Sequence, residues 1–373
     1  MNMSLYLVQS LFLGAILVII ARRPRGFNLY QLLLAFVWTF AVVVIRLRYG
    51  TEQVTFYSND QETQIWLVEK IIRHGLSASP TAIVNDRYIV SIPAWLLNKF
   101  GIDSLLGFKF LQAICLSFLF RLCSDFLERE QIRHKLWHAV FYAGPLFVFI
   151  STIGLRDIQI ALAAAYFFLG QNRSLKAVSL FAALLLRPHL AVAMAVGALV
   201  AAYLHRYKPK RIYFVLIALT IGAFAIGGYG YGVGSFLRYR NDFEPPTIFE
   251  QETWWRFFAN MLGLQFLTFN EFVVKMPVNQ LIALRLVFVD TFVVPLMFIF
   301  TLLNQRLKYS VLRTQVFVSF SFFLGLVAQT NFNSTRQNLP FLSTMGVLAL
   351  VGILRRTDEV KVESSSKSAL SSP

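Results

Sequence analysis

"LLLRPHLAVAM", residues 184–194, sets an arginine, a proline and a histidine between two runs of apolar residues. Proline has no N–H to donate and its ring collides with the carbonyl four residues back, so the stretch reads as two helices meeting at a polar break. The medium of those helices follows from the rest of the chain. Of 373 residues, 57% are hydrophobic and only 14% charged, with a mean hydropathy of +0.59. Soluble domains are roughly 45–50% apolar and about 25% charged, so the composition points to a polytopic membrane protein.

A spanning helix needs about 20 apolar residues. That rule places spans near 4–20, 29–46, 104–122, 138–153, 158–170, 175–186, 189–204, 211–228, 279–303, 314–330 and 339–354, about eleven in all, with the pair over 158–186 unusually short. The opening run "MNMSLYLVQSLFLGAILVIIARRPRG" (1–26) has the length of a signal peptide. Its positive charges follow the apolar stretch and no small-residue cleavage site appears, so it is expected to stay as a first span with its N-terminus outside.

The net charge of +16 is concentrated in short clusters between the apolar runs. "ARRPRG", "EREQIRHK", "QNRSLK", "HRYKPKR", "NQRLKYSVLR" and "RRTDEVK" all fall on one side, which the positive-inside rule makes cytoplasmic. This distribution sets orientation and argues against nucleic-acid binding. Cys115 and Cys123 are too few and too poorly spaced for a disulfide framework or a zinc site, and read as packing residues.

The expected fold is all-α, a transmembrane helical bundle running N-out and C-in, with one membrane domain over 1–354. The polar, serine-rich 355–373 reads as a disordered cytoplasmic tail. Two long external segments, about 47–103 and 229–278, complete the layout. In the first, "IWLVEKIIRHG" and "RYIVSIPAWLLNKFG" are amphipathic at helical spacing and suit helices lying at the membrane interface.

Three short external turns, "TIGLRDIQ" (152–159), "LRPHL" (186–190) and "TNFNSTRQNLP" (330–340), each carry an arginine: Arg156, Arg187 and Arg336. An arginine near a span end can simply snorkel to lipid phosphate. Pro188 after Arg187 argues further, because a broken helix at membrane depth needs protein or a cavity to satisfy its backbone. Guanidinium groups grip phosphate bidentately and keep their charge, so three of them suit a phosphate or pyrophosphate lipid.

Asp157 suits a salt-bridge partner for its neighbour Arg156. His189 is either an acid, base or phosphate partner or a structural histidine, and Asn338 supplies neutral hydrogen-bonding capacity. Asp60 and Glu62, just ahead of an amphipathic helix on the same side, are candidates for a general base; Asp60 is equally an ordinary helix cap. The same two carboxylates are oxygen ligands of the kind a divalent cation takes, and the sequence leaves metal dependence open. Arg238 and Arg240, in the second long segment, could cover a substrate. No Gly-rich phosphate loop, Cys/His metal spacing or nucleophile elbow occurs in the sequence.

At these residues the chain resembles membrane polysaccharide enzymes. "VVVIRLRYGTEQVTFY" (42–57) is similar to the start of EpsG-like and Wzy-type polysaccharide polymerases, with Glu52-Gln53 where that family tends to have Asp-Tyr, and "STIGLRDIQIALAAAYFF" (151–168) resembles their arginine-bearing helix start. "SNDQETQIWLVEKIIRHG" (58–75) followed by "RYIVSIPAWLLNKFGID" (87–103) resembles the first external loop of GT-C glycosyltransferases. "ALLLRPHLAV" and "STRQNLPFLSTM" resemble that superfamily's later external turns.

The resemblance implies a GT-C-like enzyme of the bacterial inner membrane, acting at its periplasmic face on a polyprenyl-linked glycan as either a polymerase or a single-sugar transferase. It implies Asp60 as base and Arg187 and Arg336 as ligands of the carrier phosphate. Other polysaccharide-assembly membrane proteins would be its partners. The competing expectations are a flippase or transporter of lipid-linked oligosaccharide, against which the absence of an evident repeat weighs, and a sensor or scaffold without substrate.

Overall fold

A computed structural model describes residues 3–20, 29–49, 58–74, 88–132, 135–207, 293–302, 310–327 and 338–370. Every regular element among them is helical. In chain order these are α1 (Met3–Ile20), α2 (Leu29–Tyr49), α3 (Ser58–His74), α4 (Tyr88–Lys99), α5 (Ser104–Arg129), a short 3-10 helix (Leu136–Phe141), α6 (Pro145–Ile153), α7 (Asp157–Leu169), α8 (Arg173–Leu186), α9 (Pro188–Tyr207), α10 (Val294–Leu302), α11 (Ser310–Val327) and α12 (Leu339–Leu370).

Four of the described helices are long and apolar enough to cross a membrane: Met3–Ile20, Leu29–Arg48, Ser104–Arg129 and Pro188–Arg206. Large apolar side chains of α1 and α2, among them Val8, Phe12, Phe36 and Phe40, are exposed along one side of each helix. So much uncovered apolar surface requires an apolar surrounding, which a bilayer supplies. The expected span at 211–228 and the external segment 229–278 lie outside the described residues.

The chain divides into two compact units, Met1–Arg121 with Ala143–Ala191, and Leu122–Tyr142 with Val192–Pro373. In the first, α1, α2 and the start of α5 share a core. Tyr6, Leu13 and Leu17 meet Ala35, Trp38 and Val42, and Leu106, Phe110 and Ala113 complete it, all at three- or four-residue helical spacings or their sums. The Trp38 ring lies 6.2 Å from that of Phe110. Asp103 starts α5 by accepting the backbone N–H groups of Leu105 (2.9 Å) and Leu106 (3.0 Å), as a capping carboxylate does.

Helices α3 and α4 pack on each other through Leu67 and Ile71 against Ile92 and Trp95. The exposed Glu69–Arg73 pair (3.3 Å) lies elsewhere on α3, so the helix is amphipathic as its sequence predicts. Helices α7 and α8 pack closely and are joined only by residues 170–172, making an antiparallel hairpin. Asn172 caps α8 by accepting the N–H of Ser174 at 2.8 Å.

In the second unit α12 packs against α10, α11 and the 3-10 helix. Phe341 of α12 lies 5.4 Å from the rings of both Phe320 and Phe323. Gly346 sits where any Cβ would collide with the carbonyl of Phe141.

Three expectations change. The run at 138–153 is not one helix, because Pro145 excludes the helical conformation for Gly144 (φ −82, ψ −164) and separates the 3-10 helix from α6. The helix begun by the third apolar run continues through the polar residues past 122 to Arg129. Arg313, read as a loop charge, is buried inside α11, where its Nη2 faces the Leu348 carbonyl at 3.4 Å.

Candidate functional site

The break between α8 and α9 is a single-residue joint. Arg187 is the C-cap of α8, and its N–H donates to the Ala183 carbonyl at 2.7 Å. Its own carbonyl accepts from the N–H groups of Leu190 (3.0 Å) and Ala191 (3.3 Å) at the start of α9. Pro188 drives Arg187 out of the helical region, to φ −157 and ψ 86, and as the first residue of α9 has no N–H to leave unpaired. Both backbone groups of the joint are therefore satisfied locally, and the side chain is directed inward rather than along a helix surface.

Its guanidinium meets Asp157. Arg187 Nη2 donates to Asp157 Oδ1 at 2.9 Å, with side chains only 10% and 4% exposed. Asp157 is the first residue of α7, where a carboxylate also benefits from the helix dipole. The hairpin brings the start of α7 and the end of α8 to the same open end, so residues thirty apart in sequence become partners. Asp157 thus pairs with Arg187 rather than with its neighbour Arg156, contrary to the sequence expectation; the backbone of Arg156 precedes α7, whereas the fold delivers Arg187 to the carboxylate.

Arg156 and His189, both half-buried, flank the pair in sequence, and both make contacts of their own. Glu62 on α3 is exposed, and the backbone puts Asp60 in the first turn of α3, with its side chain outside the described residues. Asn338 is buried immediately before α12, in the second unit, whereas Asp157 and Arg187 belong to the first. Arg238, Arg240 and Arg336 lie outside the described residues. No group of three or more His, Cys, Asp or Glu side chains is placed to hold a metal ion among the described residues.

Two buried polar residues on α5 escaped the sequence reading. Lys109 is wholly buried, with its side chain against Gly154 in the α6–α7 turn, and Gln112, one turn further along α5, is wholly buried too. The available clue was a lysine and a glutamine three apart inside an otherwise apolar run, "LLGFKFLQAICLSF" (105–118).

Comparison with known proteins returns no relative: no family model, no curated protein and no solved structure matches this chain.

Proposed function

We propose that this chain is a membrane glycosyltransferase that takes a sugar or oligosaccharide from a polyprenyl phosphate or pyrophosphate carrier, at the periplasmic face of a bacterial inner membrane, during assembly of a surface polysaccharide. The buried Asp157–Arg187 pair at a helix break carries the proposal. Ionisable groups inside a membrane bundle are costly and accordingly mark substrate sites.

Helix lengths support a site at depth. With 13 and 14 residues, α7 and α8 are each roughly 20 Å long at about 1.5 Å per residue. The hydrocarbon core is about 30 Å thick. With the polar turn at Gln171 and Asn172 level with one set of headgroups, the end bearing Asp157 and Arg187 stops about 10 Å short of the other. In this reading the space beneath the outer headgroups is where a lipid-borne phosphate enters sideways from the bilayer.

In this scheme Asp157 fixes the direction of the Arg187 guanidinium, which with Arg156 holds the carrier phosphate. His189 supports them. Asp60 takes the proton of the acceptor hydroxyl; the new bond forms from that oxygen to the anomeric carbon as the bond from carbon to phosphate oxygen breaks. The charge released on the phosphate is met by the arginines.

The test is reconstitution of the full chain in proteoliposomes with lipid-linked glycans extracted from the producing cells. New glycosidic bonds, read by mass spectrometry and abolished by Arg187→Ala in a protein that still inserts, are the expected result. Movement of glycan between leaflets with no new bond would defeat the enzyme assignment in favour of a transporter.

A further inference from the structure

Lys109 and Gln112 lie three residues apart on α5 and therefore share a helix face. Leu105 and Lys109 of that face close over Gly154: a Cβ at Gly154 would come within 2.9 Å of Lys109 Cγ and 3.4 Å of Leu105 Cδ1. Gly154 has φ +79 and ends α6, so the close approach of α5 is built on a position that suits only glycine. Asp157 follows three residues later, which places its backbone within about 10 Å of Gly154. The buried lysine thus stands beside the turn that delivers Asp157 to Arg187.

Gln112 supplies an independent observation. It is fully buried, and neither its Oε1 nor its Nε2 has a hydrogen-bond partner among the described residues. Ser10, Ser151 and Thr152 of the same unit bond back to their own helices, whereas Gln31 Oε1, Trp38 Nε1 and Ser91 Oγ are also buried without a hydrogen-bond partner; among the described residues Gln112 is set apart by having both ends of its amide so. A buried amide without partners costs about 1–3 kcal/mol per group, and a helix inside a bilayer has no bulk water to relieve it. Leucine at this position would cost nothing of the kind. An amide kept there presents a donor and an acceptor to something that arrives later.

We propose that the Lys109–Gln112 face of α5 is a second part of the ligand site, with Lys109 meeting the phosphate of an anionic lipid and Gln112 a hydroxyl or phosphate oxygen next to it. This rests on the glycosyltransferase proposal above and adds two binding residues to it. An ammonium suits this place as a compact point charge, complementary to the planar grip of Arg187.

The experiment is binding to the full chain in phosphatidylcholine nanodiscs, with polyprenyl phosphate, neutral polyprenol and inorganic pyrophosphate as probes. The wild type should prefer polyprenyl phosphate to polyprenol by more than tenfold. Lys109→Met should lose at least tenfold of that affinity and Lys109→Arg should recover part of it. Gln112→Leu should lose about fivefold while unfolding no earlier than the wild type, since it removes an orphaned amide.

Full phosphate affinity in Lys109→Met and Gln112→Leu, alongside lost affinity in Arg187→Ala, would overturn the α5 site and leave the proposed function standing. Failure of the wild type to distinguish phosphate from alcohol would overturn both. Pyrophosphate binding as tightly as the lipid phosphate would overturn the lipid assignment in favour of a soluble anion. Should Lys109→Met fail to insert, Gln112→Leu alone decides, with unchanged affinity refuting the site.

Discussion

Replacing Arg187 by methionine keeps much of the side-chain volume and removes the charge. The Asp157 carboxylate, with its side chain 4% exposed, would then be left in the interior without its cation. Breaking a buried ion pair from one side costs about 3–5 kcal/mol, or roughly two to nearly four powers of ten in the folded-to-unfolded ratio. Asp157→Leu should cost a similar amount by stranding the guanidinium. Removing both together leaves no isolated charge, and such apolar replacements are often neutral. Asp157→Leu/Arg187→Met should therefore recover most of the stability lost by either single variant. Equilibrium unfolding of the purified chain, titrated with SDS in mixed micelles and followed by tryptophan fluorescence, reads all four proteins on one scale. A double variant whose loss equals the sum of the two singles would show that the side chains do not interact, and would refute the pairing.

Gly154→Ala should cost about 1–2 kcal/mol in backbone conformation alone, and more because its Cβ presses on Lys109. Gly101→Ala is the matched control, since Gly101 has φ +82 with nothing within 4 Å of a Cβ; equal losses at the two sites would remove the Lys109 contact. Gly346→Val should destabilise by about 1–3 kcal/mol through overpacking against the Phe141 carbonyl, measured in the same titration, and an unaffected protein would mean that α12 does not approach that closely. With Cys115 and Cys123 replaced by alanine, a cysteine at 171 should react with impermeant thiol reagents only from the cytoplasmic side and one at the exposed position 100 only from outside. The reverse pattern would invert the orientation.

The helices most legible in the sequence are α1 and α2, each one unbroken apolar run whose start the structure reproduces to within a residue. The break at Arg187 was readable because proline acts locally. Gly144-Pro145 carried the same message and was lost inside a run that averages as apolar. Lys109 and Gln112 vanished for that reason too: a window long enough to find a span hides two polar residues within it. The ionic partner of Asp157 was unreadable in a different way. Adjacent residues attract a pairing by default, and only the hairpin of α7 and α8 shows that the nearer arginine is the wrong one.

That hairpin bears on how the chain is made. Two short helices and an ionised residue at each open end are poor candidates for entering lipid one at a time. Leaving the translocon together, they carry opposite charges that cancel across 2.9 Å, so what partitions is a hairpin whose open end is neutral and whose remaining charges, Arg173 and Lys176, stay at the polar turn end. Release of α7 would then have to wait until residue 187 has been synthesised, and a ribosome stalled before that codon should hold the nascent segment in the aqueous pore.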